Sequence, residues 1–275
     1  MTELIYDIGM HEGEDSKFYL LKGFRVVGVE ADCALCEGAA ARLGQFITTG
    51  QLTIVNRAIA PERGPVTFYR SARSGWGTIV SQWSKDNAAL GAPSEPIEVQ
   101  AITLADLVSR NGDAFYMKID IEGMDRTALE SLATSASRPR YLSMETSFAR
   151  NPTFAAVKAD FEILAKLGYD RFKIVDQRAV PEQTPPFPPS VGRYVPYRFL
   201  NGESGLFGEE APGDWLTLDR ALAAFRRLIR RKWLQVWLYR RLRFYLYYCA
   251  IIYRLSGRYP NLGWYDIHAK HSTVD

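Results

Sequence analysis

The chain has 275 residues, of which 47% are hydrophobic and 24% charged, a composition that supports a sizeable core and excludes a disordered chain. Three cysteines exclude a disulfide scaffold. The net charge of +3 hides an asymmetry: eleven of the 34 basic residues lie between Arg220 and Tyr265, a stretch without acid, which leaves 23 basic residues against 31 acidic ones elsewhere.

In chain order, residues 4–8 are a short apolar run ending at a glycine and predict a strand. Residues 15–22 predict a helix stopped by Gly23. Residues 25–29 are β-branched and predict a buried second strand, 33–46 are alanine-rich and helical, and 52–56 predict a third strand. This β-α-β-α-β order implies a parallel sheet with right-handed crossovers. Residues 66–69 and 97–100 predict strands flanking a glycine- and serine-rich loop at 71–78. Thr103-Leu-Ala-Asp106 is a capping box that opens a helix running to about Arg110. A fourth main strand is expected at 114–119, a helix at 124–133 and a fifth strand at 140–144. A helix at 154–167, closed by Gly168, and a sixth strand at 171–175 follow. The proline-rich run 181–189 predicts a boundary loop, and a basic, aromatic helix is expected over 218–255. The organisation expected is one domain over 1–200 and a helical extension over 201–275.

No basic n-region precedes the first apolar run, and no stretch reaches ~18 apolar residues, so neither a signal peptide nor a transmembrane helix is expected. Cys33 and Cys36 form a lone C-x-x-C without a second pair for zinc, and read as two thiols on a helix in a reducing cytosol. The cytoplasm is the expected location, with association at a membrane as an option.

The turn after the first strand, Tyr6-Asp-Ile-Gly-Met-His-Glu-Gly-Glu-Asp-Ser16, sits where doubly wound sheets bind ligands. Gly9 and Gly13 allow close backbone approach, and Glu30 ends the second strand, where a carboxylate can accept bonds from two ribose hydroxyls. The G-x-G-x-x-G fingerprint of a dinucleotide site is absent. Asp7, Glu12, Glu14 and Asp15 would repel a pyrophosphate and suit S-adenosylmethionine, a cationic ligand without phosphate.

Three further features mark an acceptor site. Lys118-Ile-Asp-Ile-Glu122 closes the fourth strand, and alternation puts Lys118, Asp120 and Glu122 on one side. Glu145 ends the fifth strand at the same edge. The loop Ser74-Gly-Trp-Gly-Thr78 offers Trp76 as a stacking platform for a sugar, or is only a hairpin turn.

Together these residues resemble the FkbM family of methyltransferases over residues 4–176. Its pattern of D-x-G-x-x-x-G, a strand-2 acid, N-x-A, T-L-x-D-L, K-x-D-x-E-G-x-[DE] and a strand ending in E is matched by Asp7–Gly13, Glu30, Asn56-Arg-Ala58, Thr103–Leu107, Lys118–Asp125 and Glu145. Met10-His11 stands where the family often has Ala-Asn, and Ala31 where it commonly has Pro. The first strand begins at residue 4, so a tail element is expected to replace the N-terminal helix that covers the cofactor in other members.

The resemblance implies a Rossmann-like class I methyltransferase fold, α/β with a mostly parallel seven-stranded sheet. It also implies S-adenosylmethionine-dependent O-methylation of a sugar, glycan or related natural product. The cofactor residues expected are Asp7, Gly9, His11, Gly13, Asp15, Ser16, Glu30, Ala31, Asn56, Ala58 and Asp120. Asp120 is the first candidate for the base that takes the hydroxyl proton, then Glu122 and Glu145, with His11 an outsider and Lys118 orienting the acceptor or neutralising the acids. Trp76, Lys118 and His268 are candidate substrate contacts. No metal site is predicted, and a divalent ion at Asp120 is an alternative way to acidify the hydroxyl.

For the basic segment 220–258, four readings compete: a lid on the body, an interfacial helix on anionic membrane, a nucleic-acid contact, and a dimer interface. The first two are favoured. Two other functions stay as alternatives, a non-enzymatic membrane-associated binding protein on a methyltransferase scaffold and an NAD-type oxidoreductase.

Overall fold

A computed structural model describes residues 3–241 and 264–273. The elements are β1 (Leu4–Ile8), α1 (Glu14–Leu21), β2 (Arg25–Glu30), α2 (Cys33–Thr48), β3 (Leu52–Asn56), β4 (Ala58–Ile59), β5 (Gly64–Ser71) and α3 (Ser81–Ala89). Then come β6 (Ser94–Ile102), α4 (Leu104–Asn111), β7 (Tyr116–Ile119), α5 (Asp125–Leu132), β8 (Tyr141–Glu145), α6 (Phe154–Lys166), β9 (Tyr169–Asp176), α7 (Leu218–Arg241) and β10 (Tyr265–His271).

Seven strands form the main sheet in the order β3-β2-β1-β7-β8-β10-β9. The pairs from β3 through β8 are parallel, and β10 runs antiparallel to both its neighbours. The expected Rossmann-like, mostly parallel sheet is therefore present, with one reversed strand. The seventh strand, which the hydrophobic pattern did not identify, is β10. All five residues of β1 are buried, as a strand covered on both faces requires. Side-chain caps set the helix starts: Asp32 accepts from Ala34 N at α2, Thr103 from Asp106 N at α4, and Thr153 from Ala156 N at α6.

Core fills both faces of the sheet. One face packs Tyr6, Ile8, Val29, Met117 and Leu142 against Leu107, Leu129 and Phe161. The other packs Ile5, Val26 and Tyr116 against Phe18, Tyr19 and Phe207. Met10 is 2% exposed, and it fits because Gly28 lacks a Cβ, which would lie 2.3 Å from Met10 Sδ. That accommodates the bulkier residue in the first turn.

The expected boundary after residue 200 does not separate two units. Phe207 is fully buried, its ring 4.9 Å from Tyr19 and 4.7 Å from Tyr116. The Glu210 carboxylate meets Lys22 Nζ at 2.8 Å with both side chains out of solvent, and accepts the N–H of Ser190 and of Val191. Ala221, Phe225 and Ile229 of α7 join the core, and β10 is an interior strand. The proline run reads as a boundary locally, but the hydrophobic side chains after it have only the body to bury against.

The hairpin strands are longer than the sequence suggests: β5 and β6 pair antiparallel over eight residues, and β4 joins β6 in a separate three-stranded sheet. Helix α3, between them, was not expected, because Ser-Gln-Trp-Ser-Lys-Asp-Asn-Ala-Ala has no apolar stripe. The part of the expected basic helix beyond Arg241 lies outside the described residues, with Arg243 and the aromatics at 244–248. Among the described residues no helix is long and apolar enough to cross a membrane.

Candidate active site

One cleft of 1050 Å³ opens at the carboxyl ends of the parallel strands. Its first wall is the β1–α1 turn. Gly9 has φ +81°, and a Cβ there would lie 1.9 Å from the Asp120 carbonyl oxygen, so only glycine lets this turn close on the end of β7. The Asp120 N–H donates to Ile8 O at 2.9 Å and locks the two strand ends together.

Beneath the turn lies a buried charge cluster. Parallel register sets Asp7 beside Lys118, and Lys118 Nζ lies 3.4 Å from Asp7 Oδ1, 3.1 Å from Asp15 Oδ2 and 3.9 Å from Asp120 Oδ2. Burial alone would lower the Lys118 pKa, but the three carboxylates outweigh it and hold the ammonium well above its ordinary range. Lys118 is therefore a fixed cation that balances the acids. Asp7 is fully buried, takes a 2.6 Å bond from Ser16 Oγ, and is pushed up by desolvation. Asp15 accepts both the N–H and the hydroxyl of Ser204 at 2.8 Å, which ties the tail to the turn.

The Glu30 carboxylate is held by two backbone donors. Its Oε2 accepts His11 N at 3.1 Å and its Oε1 accepts Asp32 N at 2.9 Å, so the carboxylate is oriented while each oxygen keeps a further acceptor site. Burial raises its pKa. His11, at φ +54°, bonds Glu14 through Nδ1 at 3.3 Å and touches Ser74 Oγ through Nε2. The bond to Glu14, ahead of the opposing desolvation, raises its pKa.

The β5–α3 insert forms the opposite wall. Arg70 pairs bidentately with Asp32 at 2.6 and 2.7 Å. Arg73 lies 4.3 Å over the Trp76 ring, so one face of that ring is already covered. The insert also grips the turn after β7. Glu122 sits at φ +42°, a strained conformation for a non-glycine residue. Its carbonyl accepts Thr78 Oγ1 at 2.8 Å, and its carboxylate meets Arg150, which is stacked 4.1 Å over Trp83, at 3.2 Å. Burial, then the Asp120 charge, pushes Glu122 up to about 7 against the pull of Arg150.

Glu145 and Asp266 lie directly opposite on β8 and β10. Burial, with Asp120 and Glu122 nearby, pushes Glu145 up to about 10, and burial raises Asp266 well above the carboxylate range. Glu145 therefore keeps its proton at neutral pH. Among the described residues, no three histidine, cysteine or carboxylate side chains converge in one place.

Of the expected site residues, Gly9, His11, Asp15, Glu30, Ala31 and Ala58 line the cleft, as do Trp76, Lys118, Asp120, Glu122 and Glu145. Five do not. Asp7 and Ser16 are engaged with each other and act through Lys118. Gly13 precedes α1 at φ +80° against Leu43. Asn56 donates through Nδ2 to the carbonyls of Glu30 and Ala31, and holds the end of β2. His268 is 2% exposed inside the sheet, between Ser143 and Lys173 in register. Burial pushes its pKa down to about 3, so it is a neutral core side chain and not a substrate contact.

Sequence reasoning missed Arg70, Arg150, the 200–203 segment and Trp264, which line the cleft, and Trp83 and Asp266, which stand behind Arg150 and beside Glu145. The tail thus contributes a wall of the cleft. Nothing in local spacing marks Arg150. His268 was the candidate on β10, but it is Asp266, two residues before it, that meets Glu145.

A family model described as the methyltransferase FkbM domain matches residues 7–171. No curated protein matches the chain. Among solved structures, the methyltransferase FkbM from Methylobacillus flagellatus KT is 15% identical with a TM-score of 0.42, over 64% of this chain and 40% of that one. A SAM-dependent methyltransferase from Thiobacillus denitrificans in complex with S-adenosyl-L-homocysteine is 13% identical with a TM-score of 0.38, over 98% of this chain and 85% of that one. An O-methyltransferase from Bacillus cereus is 14% identical with a TM-score of 0.37, over 63% of this chain and 67% of that one. The chain spans 40% of the length of the first of these proteins.

Proposed function

This chain belongs to the FkbM methyltransferase family, and from that premise we propose that it transfers a methyl group from S-adenosylmethionine to a hydroxyl of a sugar, glycan or related natural product. The observation that carries this reading is the convergence on one cleft of the Glu30 carboxylate and the Lys118–Glu122 turn.

The donor set fits S-adenosylmethionine. Glu30 keeps an acceptor site on each oxygen for the two ribose hydroxyls, and Gly9 lines the same cleft. Asp120, on the cleft and 35% exposed, offers negative charge to a ligand carrying a sulfonium and an ammonium. Gly9, His11, Asp15, Glu30, Ala31, Ala58 and Asp120 would hold it. The bound ligand supplies a methyl carbon already activated on sulfur.

The protein's part is alignment and proton removal. We assign the proton of the acceptor hydroxyl to the Glu122 carboxylate, ahead of Asp120. Glu122 is held near pH 7, where a base both ionises and attracts a proton effectively, and Thr78 and Arg150 fix its position. Asp120 tunes it by its charge. Glu145, protonated, can donate a hydrogen bond to the acceptor. A cleft of 1050 Å³ is at the upper end for small-molecule sites, as suits one that takes two ligands.

Isothermal titration with S-adenosylmethionine and with NAD tests the cofactor. Heat with the first and none with the second is expected, and silence toward S-adenosylmethionine and S-adenosylhomocysteine at millimolar concentration refutes the reading. Methyl-labelled cofactor offered with a glycan panel tests the acceptor. Label that resists mild alkali is expected for an ether, and alkali-labile label would indicate a carboxyl acceptor instead.

A further inference from the structure

We propose that the exposed basic face of α7 is a docking surface for an anionic lipid bilayer. Among its described side chains, the helix is anchored to the core along one side. Ala221, Phe225 and Ile229, four residues apart, are buried in the core. Arg227, Arg230 and Arg231 are exposed on the other side, Arg226 lies 4.2 Å over the Phe154 ring, and Trp233 is 57% exposed. Among the described residues, none of these arginines pairs with a carboxylate.

After Asp219 the helix sequence carries eight basic residues and no acid to its end at Arg241. A helix facing only water usually interleaves both signs. One sign, with tryptophan and tyrosine among the charges, is the composition of a helix lying at phospholipid headgroups. The rest of the chain has more acid than base, so an anionic surface attracts this face and repels the body. Leu234, Val236 and Leu238 stand among the charges in sequence, and a phosphate backbone has no use for such aliphatic residues.

The placement fits the same partner. The Phe225 ring is 5.9 Å from Phe148, just past β8, and 5.8 Å from Tyr265, the first residue of β10. The helix has therefore reached the carboxyl edge of the sheet at that point. It continues over 230–241 for about 18 Å at 1.5 Å per residue. Trp264, where the described chain resumes, lines the cleft. A bilayer docked on α7 would border the cleft mouth and present a lipid-borne acceptor there; that consequence, unlike the docking itself, rests on the methyl-transfer reading.

The test is co-sedimentation of the full chain with phosphatidylcholine vesicles, with and without phosphatidylglycerol, at low and high salt. Binding is expected with the anionic vesicles alone, and is lost at high salt. Each basic residue at such a surface changes partitioning about fivefold, so the triple variant Arg227→Ser, Arg230→Ser, Arg231→Ser should bind about a hundredfold more weakly. Its thermal melting should match the parent, because these side chains are exposed. Trp233→Ser should weaken binding by a smaller, salt-independent factor. The proposal is overturned by no binding to either vesicle, by equal binding to both, or by a triple variant that binds like the parent. Salt-sensitive binding of a mixed-sequence oligonucleotide without vesicle binding would overturn it in favour of nucleic acid.

Discussion

Lys118→Met keeps most of the side chain's length and removes one charge from the floor of the cleft. In the parent, Nζ lies 3.4 Å from Asp7 and 3.1 Å from Asp15. At an effective dielectric of about 20, each contact contributes about 5 kcal/mol of gross attraction, most of it offset by desolvation. With the ammonium gone, the fully buried Asp7 keeps the Ser16 hydroxyl as its hydrogen-bond donor among the described residues. Stripping one partner from a buried pair costs about 3–5 kcal/mol, and that is the expected loss near pH 8. The pH dependence follows from the sign of the Asp7 shift. Its folded pKa is already raised by burial, and loss of Lys118 raises it further. An acid raised in the folded state loses stability as pH climbs from its unfolded value, ~3.9, toward its folded one. The penalty should therefore be smaller at pH ~5 than at pH ~8. Urea denaturation followed by circular dichroism at both pH values measures it, and Asp7→Asn in the same chain should restore part of the loss. A loss below ~1 kcal/mol at pH ~8, or a larger loss in acid, would refute the charge-balance argument.

Glu122→Gln should lower kcat by about 10²–10⁴ and abolish the acid limb of the pH–rate profile near 7. Asp120→Asn removes the charge that helps raise Glu122, so the acid limb should move to lower pH by about one unit; an unmoved limb separates the two groups. Gly9→Ala forces a methyl group against the Asp120 carbonyl at φ +81° and should cost S-adenosylmethionine binding in calorimetry before it costs secondary structure. Glu30→Ala removes the charged acceptor proposed for both ribose hydroxyls and should weaken cofactor affinity about 10–100-fold, at about 1.5–3 kcal/mol for such a bond. Glu145→Gln should stabilise the fold at neutral pH. Its carboxyl is raised to about 10, so native stability falls as pH rises through that window, and the variant should lose this part of the slope in denaturation measured from pH ~5 to ~9.

How much was legible depended on distance along the chain. Strand ends, helix caps and the two acidic turns are set by residues within a few positions of one another, so Asp7–Gly13, Glu30 and Lys118–Glu122 could be picked out with a chemistry attached. Even there the roles shifted. Asp7 looked like a ligand contact and is instead buried against Ser16 and Lys118, because the register of β1 and β7 sets the two side chains face to face. His268 was a candidate substrate contact, and the antiparallel insertion of β10 buries it.

By itself, then, the sequence determined the alternation of strands and helices, the glycine turns and the acidity of the sheet edge. These follow from side-chain periodicity and backbone freedom over short spans. Only the tertiary structure decided which charges meet. Asp7 and Lys118 are 111 residues apart, Lys22 and Glu210 188, and Asp15 and Ser204 189. Such pairs leave no local pattern, because burial and strand register, not spacing, bring them within reach.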